Sequence, residues 1–205
     1  MVNKDGRSDL REALVEAATR IIVERGYQAL KARELAAEVG CSVGTIYNVF
    51  PDIDALVLSV KAGALDRLES AVVGALGPFV ASGPEAAAAR FLELGRVYLD
   101  FASRHWRLWS SVFEHRAASS PALEAYMLRL DAILTNIEQP LGALLPGLPP
   151  DERRRLTRTL FAAVHGVVSL GLDGKLGPIG EDELHAQVRA LLSATLRGLR
   201  EARAA

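Results

Sequence analysis

KARELAAEVGCSVGTIYNVF, residues 31–50, has the pattern of two short helices joined by a tight turn. Gly40 lies where the chain leaves the first helix, and the left-handed backbone that ends many helices costs little only for glycine. Ser42 is placed to cap the second helix, because its hydroxyl oxygen can accept from an exposed amide of the first turn. Apolar or small residues stand where two crossed helices must touch, namely Leu35, Ala36, Val39, Cys41, Ile46 and Val49. The pattern predicts a helix-turn-helix motif.

The second helix of this motif, predicted over about 42–50, presents side chains that suit contact with DNA. A helix of this kind enters the major groove and reads base edges there. Asn48 can hold adenine in a bidentate pair, and Thr45 is the other candidate for base readout. The full set of predicted DNA-binding residues is Lys31, Arg33, Ser42, Val43, Gly44, Thr45, Tyr47 and Asn48. The alternative is that Tyr47 and Val49 only pack and that Asn48 is only a surface residue.

The segment from Gly26 to Phe50 resembles the DNA-binding segment of the TetR/AcrR family of transcriptional regulators. The matching features, at fixed spacing, are Gly26-Tyr27, Glu34-Leu35-Ala36, Val39-Gly40, Gly44-Thr45-Ile46-Tyr47 and Phe50. Members of the family often have Thr near position 31, where this chain has lysine. They also often have Lys shortly after the phenylalanine, where this chain has Pro51-Asp52-Ile53-Asp54. Because of this second departure, one phosphate contact that the family pattern implies lacks its usual lysine.

The resemblance implies an all-α fold of about nine helices, in which a three-helix helix-turn-helix domain is joined by a long helix to a C-terminal bundle. We expect the DNA-binding domain to cover residues 1–53 and the ligand-binding and dimerisation domain to cover 54–205. The implied function is a ligand-responsive transcriptional regulator, expected to be a repressor, that binds a palindromic operator in double-stranded DNA as a homodimer. A small apolar or aromatic effector would shift the population between states of different operator affinity.

Helical spacing of apolar residues continues through the rest of the chain, and no strand pattern competes with it. We expect helices over about 8–25, 52–76, 84–103, 105–115, 121–139, 151–172 and 181–202. Gly and Pro mark the breaks between them, and Pro140 ends or kinks the helix before it. The long helix over 52–76 is expected to join the DNA-binding head to the body.

Composition sets limits on the class of protein. Half of the 205 residues are hydrophobic and the net charge is −1, so the chain can build a sizeable core but has no overall basic excess. The first 61 residues contain eight Lys and Arg against nine Asp and Glu, and the helix over 42–50 contains neither Lys nor Arg. Lys31 and Arg33 are therefore the expected phosphate contacts, and the DNA-binding prediction rests on pattern rather than on a basic patch. No signal peptide or membrane-spanning run is evident, so we expect a cytoplasmic protein without membrane contact.

The last two helices are the expected dimer interface, because a single head covers too few base pairs for specific binding. The amphipathic spacing of the last helix supplies most of the apolar surface. The predicted interface residues are Leu156, Leu160, Val167, Leu184, Val188, Leu191, Leu192, Thr195 and Leu199. The alternative is that both helices only close the core of the monomer.

Aromatic residues in the middle of the chain suggest an apolar cavity, since ligand sites are mostly apolar with a few placed polar groups. The predicted lining residues are Phe91, Tyr98, Trp106, Trp109, Phe113, Met127, Leu130 and Phe161, with Tyr126 and His165 as polar groups. The alternative is a filled core, and the family resemblance is what favours a cavity. The tract from Phe161 to Gly166 also resembles a TetR subgroup with a Trp-then-His-Gly pattern, with Phe161 in place of the tryptophan.

Other kinds of site are not supported by the sequence. The tract from Gly166 to Gly171 is one residue too long for a hydrolase nucleophile elbow, and no glycine loop cradles a phosphate, so no enzyme is expected. One cysteine excludes an internal disulfide and a multi-cysteine metal site. The histidines are not spaced to pair on one helix face, so no metal or other cofactor is expected. They are His105, His115, His165 and His185.

Two further features have competing interpretations. Cys41 is expected to be a buried structural thiol rather than a redox sensor. The run Arg153-Arg154-Arg155, beside Asp151 and Glu152, is expected to be a solvated helix start rather than a second nucleic-acid patch. The alternative function is a helical ligand-binding or adaptor protein that has lost DNA binding, which the acidic segment after Phe50 keeps open.

Overall fold

The computed structural model describes residues 4–80, 82–114 and 121–204, and these residues are almost entirely helical. Their elements are α1 (Lys4–Arg25), a 3-10 turn (Tyr27–Ala29), α2 (Ala32–Val39), α3 (Val43–Val49), α4 (Ile53–Leu76), α5 (Pro84–Arg104), α6 (Trp106–Glu114), α7 (Pro121–Leu144), α8 (Pro150–Leu172) and α9 (Glu181–Ala204). No strand occurs among the described residues, where Lys175 and Gly177 form an isolated bridge. The predicted all-α fold is confirmed. Pro140 does not end its helix, because α7 continues through it to Leu144.

Contacts between residues divide the chain into two compact units. The head unit comprises Met1–Arg67 and Arg107–Leu130, and the body unit comprises Leu68–Trp106 and Asp131–Ala205. The boundary between the two units lies within α4, after Arg67. The first part of α4, nearly all of α6 and the start of α7 therefore belong to the head unit.

The core of the head unit is built on α1, which packs against the 3-10 turn, α2 and α3. On α1 the buried residues recur at three- and four-residue steps, as one face of a helix requires. They are Leu14, Ala17, Ala18, Ile21 and Ile22. Leu35 and Ala36 of α2, Ile46 of α3 and Phe50 close this core from the other side. Each large apolar side chain buried in this way stabilises the fold by about 1.5–3 kcal/mol.

A bend separates α3 from α4. Asp52 caps α4, since its Oδ1 accepts from the Ala55 amide at 2.6 Å, and a carboxylate is favourable at the positive end of a helix. In the part of the chain that the structure describes, no single helix is long and apolar enough to cross a membrane. The pair Val43–Val49 and Ile53–Leu76, bent by 63°, meets that criterion by length and composition alone.

The core of the body unit is formed where α9 packs closely against α5 and α8. A Cβ added at Gly95 of α5 would lie 2.6 Å from Leu192 Cδ1 and 3.1 Å from Val188 Cγ1. A Cβ added at Gly171 of α8 would lie 2.7 Å from Leu184 Cδ1. Glycine at these two positions is what allows the helices to approach.

This packing corrects part of the predicted dimer interface. Leu160, Leu184, Val188 and Leu192 are buried inside the body unit. Their apolar stripe is therefore used by the monomer's own core and is not available to a partner. The remaining predicted interface residues are half-buried, namely Leu156, Val167, Leu191, Thr195 and Leu199.

We predict that Gly95→Val lowers the free energy of unfolding by about 1–3 kcal/mol, because the added methyls collide with Leu192 and Val188. The control is Gly74→Val, at an exposed position of α4 where an added Cβ meets nothing within 4 Å. Urea unfolding of both variants is the measurement. Equal stabilities of the two variants would contradict the close approach of α5 and α9.

Candidate nucleic-acid interface and internal cavity

The turn between α2 and α3 has the geometry that its sequence predicts. Gly40 is left-handed, with φ of 74° and ψ of 33°, and its amide donates to the Ala36 carbonyl. The Cys41 amide also donates to Ala36 O, at 2.9 Å. Ser42 is the N-cap of α3, and its Oγ accepts from the Thr45 amide at 3.1 Å. These bonds give partners to the Ala36 carbonyl at the end of α2 and to the Thr45 amide at the start of α3, and they fix where α3 begins.

Some of the predicted base-reading residues are exposed, whereas the side chain of Thr45 is already hydrogen-bonded within the protein. Gly44, Tyr47 and Asn48 are exposed on α3, with Tyr47 at 45%. Thr45 is half-buried, and its hydroxyl lies 2.8 Å from Ser42 Oγ, so the two hydroxyls are already hydrogen-bonded to each other.

The remaining predicted DNA-binding residues lie close by in the sequence. Val43 is half-buried, while Lys31 and Arg33, at the start of α2, are exposed. Cys41 is half-buried rather than buried, because the turn that carries it lies at the surface of the head unit.

Several arginines of the head unit are neutralised by carboxylates. Arg20 lies 3.2 Å from Glu38, and Arg25 lies 3.0 Å from Glu34. Such exposed pairs add little stability, typically less than about 1 kcal/mol, but they remove free positive charge from the surface.

Two other arginines lie at the C-terminal end of α3. Arg7 Nη2 donates to the Asn48 carbonyl at 2.8 Å, and the Arg11 guanidinium lies 4.4 Å from the centroid of the Phe50 ring. Sequence reasoning did not single out Arg7 or Arg11. Their four-residue spacing on α1 was visible, but nothing in the sequence placed that face of α1 beside α3.

The body unit contains an apolar cavity of about 70 Å³. It is lined by Leu68, Val72, Phe91, Leu94, Gly95, Tyr98, Ile133, Leu134, Asn136, Ile137, Leu160, Phe161, Val164 and Leu192. No charged side chain is among them, and the polar groups are the Asn136 amide and the Tyr98 hydroxyl. Of the predicted ligand-binding residues, Phe91, Tyr98 and Phe161 line this cavity.

His165 is joined to the wall of the cavity through Tyr98. The Tyr98 hydroxyl and His165 Nδ1 are 2.6 Å apart, and the Phe161 ring stacks on the imidazole with a centroid distance of 5.8 Å. Burial lowers the pKa of His165 below its usual value, because the charged imidazolium is poorly solvated there. The neutral form of the imidazole is favoured, and in the tautomer that leaves Nδ1 without a hydrogen this atom can accept a hydrogen bond from the Tyr98 hydroxyl.

The other predicted ligand-binding residues do not line the cavity. Trp109, Phe113, Tyr126, Met127 and Leu130 belong to the head unit, since the chain passes from one unit to the other at 106–107 and 130–131. Trp109 is fully buried and packs edge-on against Phe113, with centroids 5.4 Å apart. Met127 is 41% exposed.

Two of the aromatic side chains outside the cavity contact charged residues instead. Trp106, in the body unit, donates its Nε1 hydrogen to Asp173 Oδ1 at 3.1 Å. In the head unit, the buried Lys61 ammonium lies 5.5 Å from the centroid of the Tyr126 ring.

Among the described residues, one group of side chains has the donor atoms of a metal site. Asp100, Glu181 and His185 bring their ligand atoms within 4.8 Å of one another. Asp100, however, already accepts from Arg96 at 2.8 Å and lies 3.1 Å from His185 Nε2. This bonding accounts for Asp100 and His185 without an ion. His115 lies outside the described residues.

Two of the three arginines at the start of α8 form ion pairs, and two are exposed. Arg153 lies 3.2 Å from Glu138, and Arg154 pairs with Asp151. Arg155 is exposed. This arrangement fits a solvated helix start rather than a second nucleic-acid patch.

Two models of known protein families match this chain. Residues 14–60 match the model of bacterial regulatory proteins of the tetR family, and residues 91–196, more than half of the chain, match the model described as tetracyclin repressor-like, C-terminal domain. The chain belongs to the TetR family. It is a transcriptional regulator with a helix-turn-helix DNA-binding domain, and the prediction that it is not an enzyme is confirmed, because TetR-family regulators are non-enzymatic transcription factors.

Solved structures share the fold. A protein of unknown function from Rhodococcus sp. RHA1 is 26% identical, with a TM-score of 0.67 over 92% of this chain and 94% of that one. A tetR-family transcriptional regulator from Streptomyces coelicolor is 22% identical, with a TM-score of 0.67 over 96% of this chain and 83% of that one. A putative transcriptional regulator from Saccharomonospora viridis in complex with choline is 20% identical, with a TM-score of 0.67 over 91% and 96%. A comparison with curated proteins found no match.

Proposed function

We propose that this TetR-family regulator is a cytoplasmic repressor that binds a palindromic operator as a homodimer and is released by a small uncharged effector. The observation that carries the proposal is the exposed face of α3. Ile46 points into the head core, and residues two positions away on either side lie on the opposite face of the helix. Gly44 and Asn48 are those residues, and Tyr47 is exposed beside them.

The chemistry of this face suits base readout by few contacts. An exposed Asn side chain can donate to and accept from adenine in the major groove, and Gly44 lets the helix backbone approach the bases closely. Tyr47 adds a hydroxyl and an aromatic edge. Thr45 is less available, because its hydroxyl is bonded to Ser42. Asn48 is therefore the residue on which we expect base specificity to depend most.

We predict that Asn48→Ala weakens binding to duplexes enriched from a random pool by about 1–3 kcal/mol, since it removes a bidentate base contact. Binding to unrelated duplexes is expected to stay the same. Fluorescence anisotropy with both duplex types is the measurement. The control is Gln139→Ala, an exposed amide in the body unit. Unchanged affinity of Asn48→Ala for enriched duplexes would remove Asn48 from base readout.

The homodimer is supported by a second face of α8 and α9. The apolar stripe of α9 is buried in the monomer, but small residues are exposed on its other side. They are Ala186, Ala190, Ala194 and Gly198, at four-residue steps, and Ala162 and Ala163 of α8 are exposed as well. Small side chains allow helix backbones to approach closely. Two such faces related by a two-fold axis form a four-helix contact, which would give the two heads needed for a palindrome.

We predict that Ala190→Arg dissociates the dimer, because a long charged side chain cannot fit between closely packed helices. The control is Ala89→Arg, which adds the same side chain at an exposed alanine of α5. Sedimentation equilibrium is expected to give a monomer for Ala190→Arg and a dimer for Ala89→Arg. If both variants form dimers with an unchanged dissociation constant, the interface does not include this face of α9.

The lining of the cavity supports an uncharged effector. No charged residue lines it, and an unpaired charge buried among apolar side chains is costly. At about 70 Å³ the cavity is smaller than the roughly 150 Å³ cavity known to bind benzene. An effector containing an aromatic ring would thus bind a widened form of the body, and its binding would shift the population toward that form.

We predict that benzyl alcohol raises the melting temperature of the protein, whereas benzoate and benzylamine, which have the same ring but a charge, do not. Val164→Phe fills part of the cavity and is expected to abolish the shift while leaving operator affinity unchanged. Thermal melts at matched concentrations, together with anisotropy, are the measurements. Equal or stronger stabilisation by either charged compound contradicts the uncharged effector class, and an undiminished shift in Val164→Phe places the compound elsewhere.

A further inference from the structure

α3 contains no positive charge, yet most of the affinity of a protein for duplex DNA comes from cations that contact phosphates. The segment after Phe50 adds the acidic residues Asp52 and Asp54, and the next cation along the chain, Lys61, is 5% exposed. We propose that Arg7 and Arg11 of α1 supply the phosphate contacts at the C-terminal end of α3. This inference rests on the proposed operator binding by α3.

Arg7 is held at the end of α3 by the helix itself. Its Nη2 donates to the carbonyl of Asn48, one of the last carbonyls of α3, which lack partners within the helix. A cation at this end of a helix also complements the helix dipole. The guanidinium has five N–H donors, so this single bond leaves most of them for a phosphate. The side chain is exposed, although its position is fixed.

Arg11 is held one turn further along the same face of α1. Residues four apart on a helix are neighbours, which puts Arg7 and Arg11 in one row. One face of the Arg11 guanidinium lies 4.4 Å from the centroid of the buried Phe50 ring, and its Nη2 donates to Ser59 Oγ at 2.9 Å. The ring and the hydroxyl fix the orientation of the guanidinium but do not neutralise its charge.

The charge of these two arginines is available, unlike that of several others in the head unit. Arg20 and Arg25 face Glu38 and Glu34, and Arg129 pairs with Asp66. In the part of the chain that the structure describes, Arg7 and Arg11 have a carbonyl, a hydroxyl and an aromatic ring as partners, but no carboxylate.

The width of the major groove indicates which part of α3 lies near phosphates. A seven-residue helix is about 10 Å long, and the major groove is about 12 Å wide. When α3 lies in the groove with its axis running across it, each end of the helix is close to one of the two sugar-phosphate backbones that border the groove. Because Arg7 is bonded to the last turn of α3, it meets one of these backbones, and Arg11 follows it.

The test is the salt dependence of duplex binding by the full-length dimer. Anisotropy titrations use duplexes enriched from a random pool and unrelated duplexes, between about 50 and 200 mM salt. A homodimer contains each substitution twice, so Arg7→Gln and Arg11→Gln are each expected to remove two phosphate contacts. The steepness of log K against log salt should then fall by about 1.8 for each variant, and both duplex types should be weakened by the same factor. Gln keeps N–H donors on the side chain while removing the charge. Arg7→Lys and Arg11→Lys are expected to keep the wild-type slope.

The matched control is Arg67→Gln, the same loss of charge at an exposed position about 20 Å along α4 from its start. Its slope is expected to equal that of the wild type. Wild-type slopes in both Gln variants, a drop of equal size in Arg67→Gln, or a drop of equal size in the Lys variants would overturn the inference while leaving operator binding intact. Absence of saturable duplex binding by the wild type at low salt would instead overturn the proposed function, and the inference with it.

Discussion

Burial of Ile46 is the constraint that orients the proposed DNA-reading face of α3. α3 has only seven residues, so one fully buried side chain decides which face of the helix points outward. With Ile46 in the core formed by α1 and α2, Asn48 must face outward. The left-handed Gly40 and the Ser42 cap then fix where α3 begins, and a cap of this kind contributes about 1 kcal/mol. The head unit thus uses packing to present polar groups that are themselves uncharged.

The body unit combines its cavity and its proposed dimer surface on one helix. Leu192 of α9 forms part of the cavity wall, while Ala190 and Ala194 are exposed on the same helix. Gly95, which brings α9 close to α5, also lines the cavity. A ligand that widens the cavity must therefore displace α9 or its neighbours, because packed helices shift as units rather than deform. Binding of the proposed effector is therefore expected to move the proposed dimer surface of α9 within the body unit.

The sequence predicted local features far better than long-range ones. Helix positions, the glycine turn and the Ser42 cap followed from periodicity and backbone chemistry, which depend on near neighbours. Phe91 and Trp109 were predicted to line the same cavity, but the sequence carries no information about which core each aromatic side chain joins, and the two residues belong to different units. The leucines of α9 were assigned to a partner because an apolar stripe looks the same whether it meets its own chain or another. The Arg7 contact with Asn48 spans 41 residues and is fixed only by how α1 packs on α3.

The proposed function requires that α3 reads DNA and that two copies of α3 do so together. Selection of bound duplexes from a random pool, at low salt and with the full-length protein, tests this most directly. We expect enrichment of one palindrome, with half-sites at a fixed spacing and a shared base pattern that Asn48 can contact. A folded dimer that enriches no sequence, or that enriches single half-sites without symmetry, would contradict it.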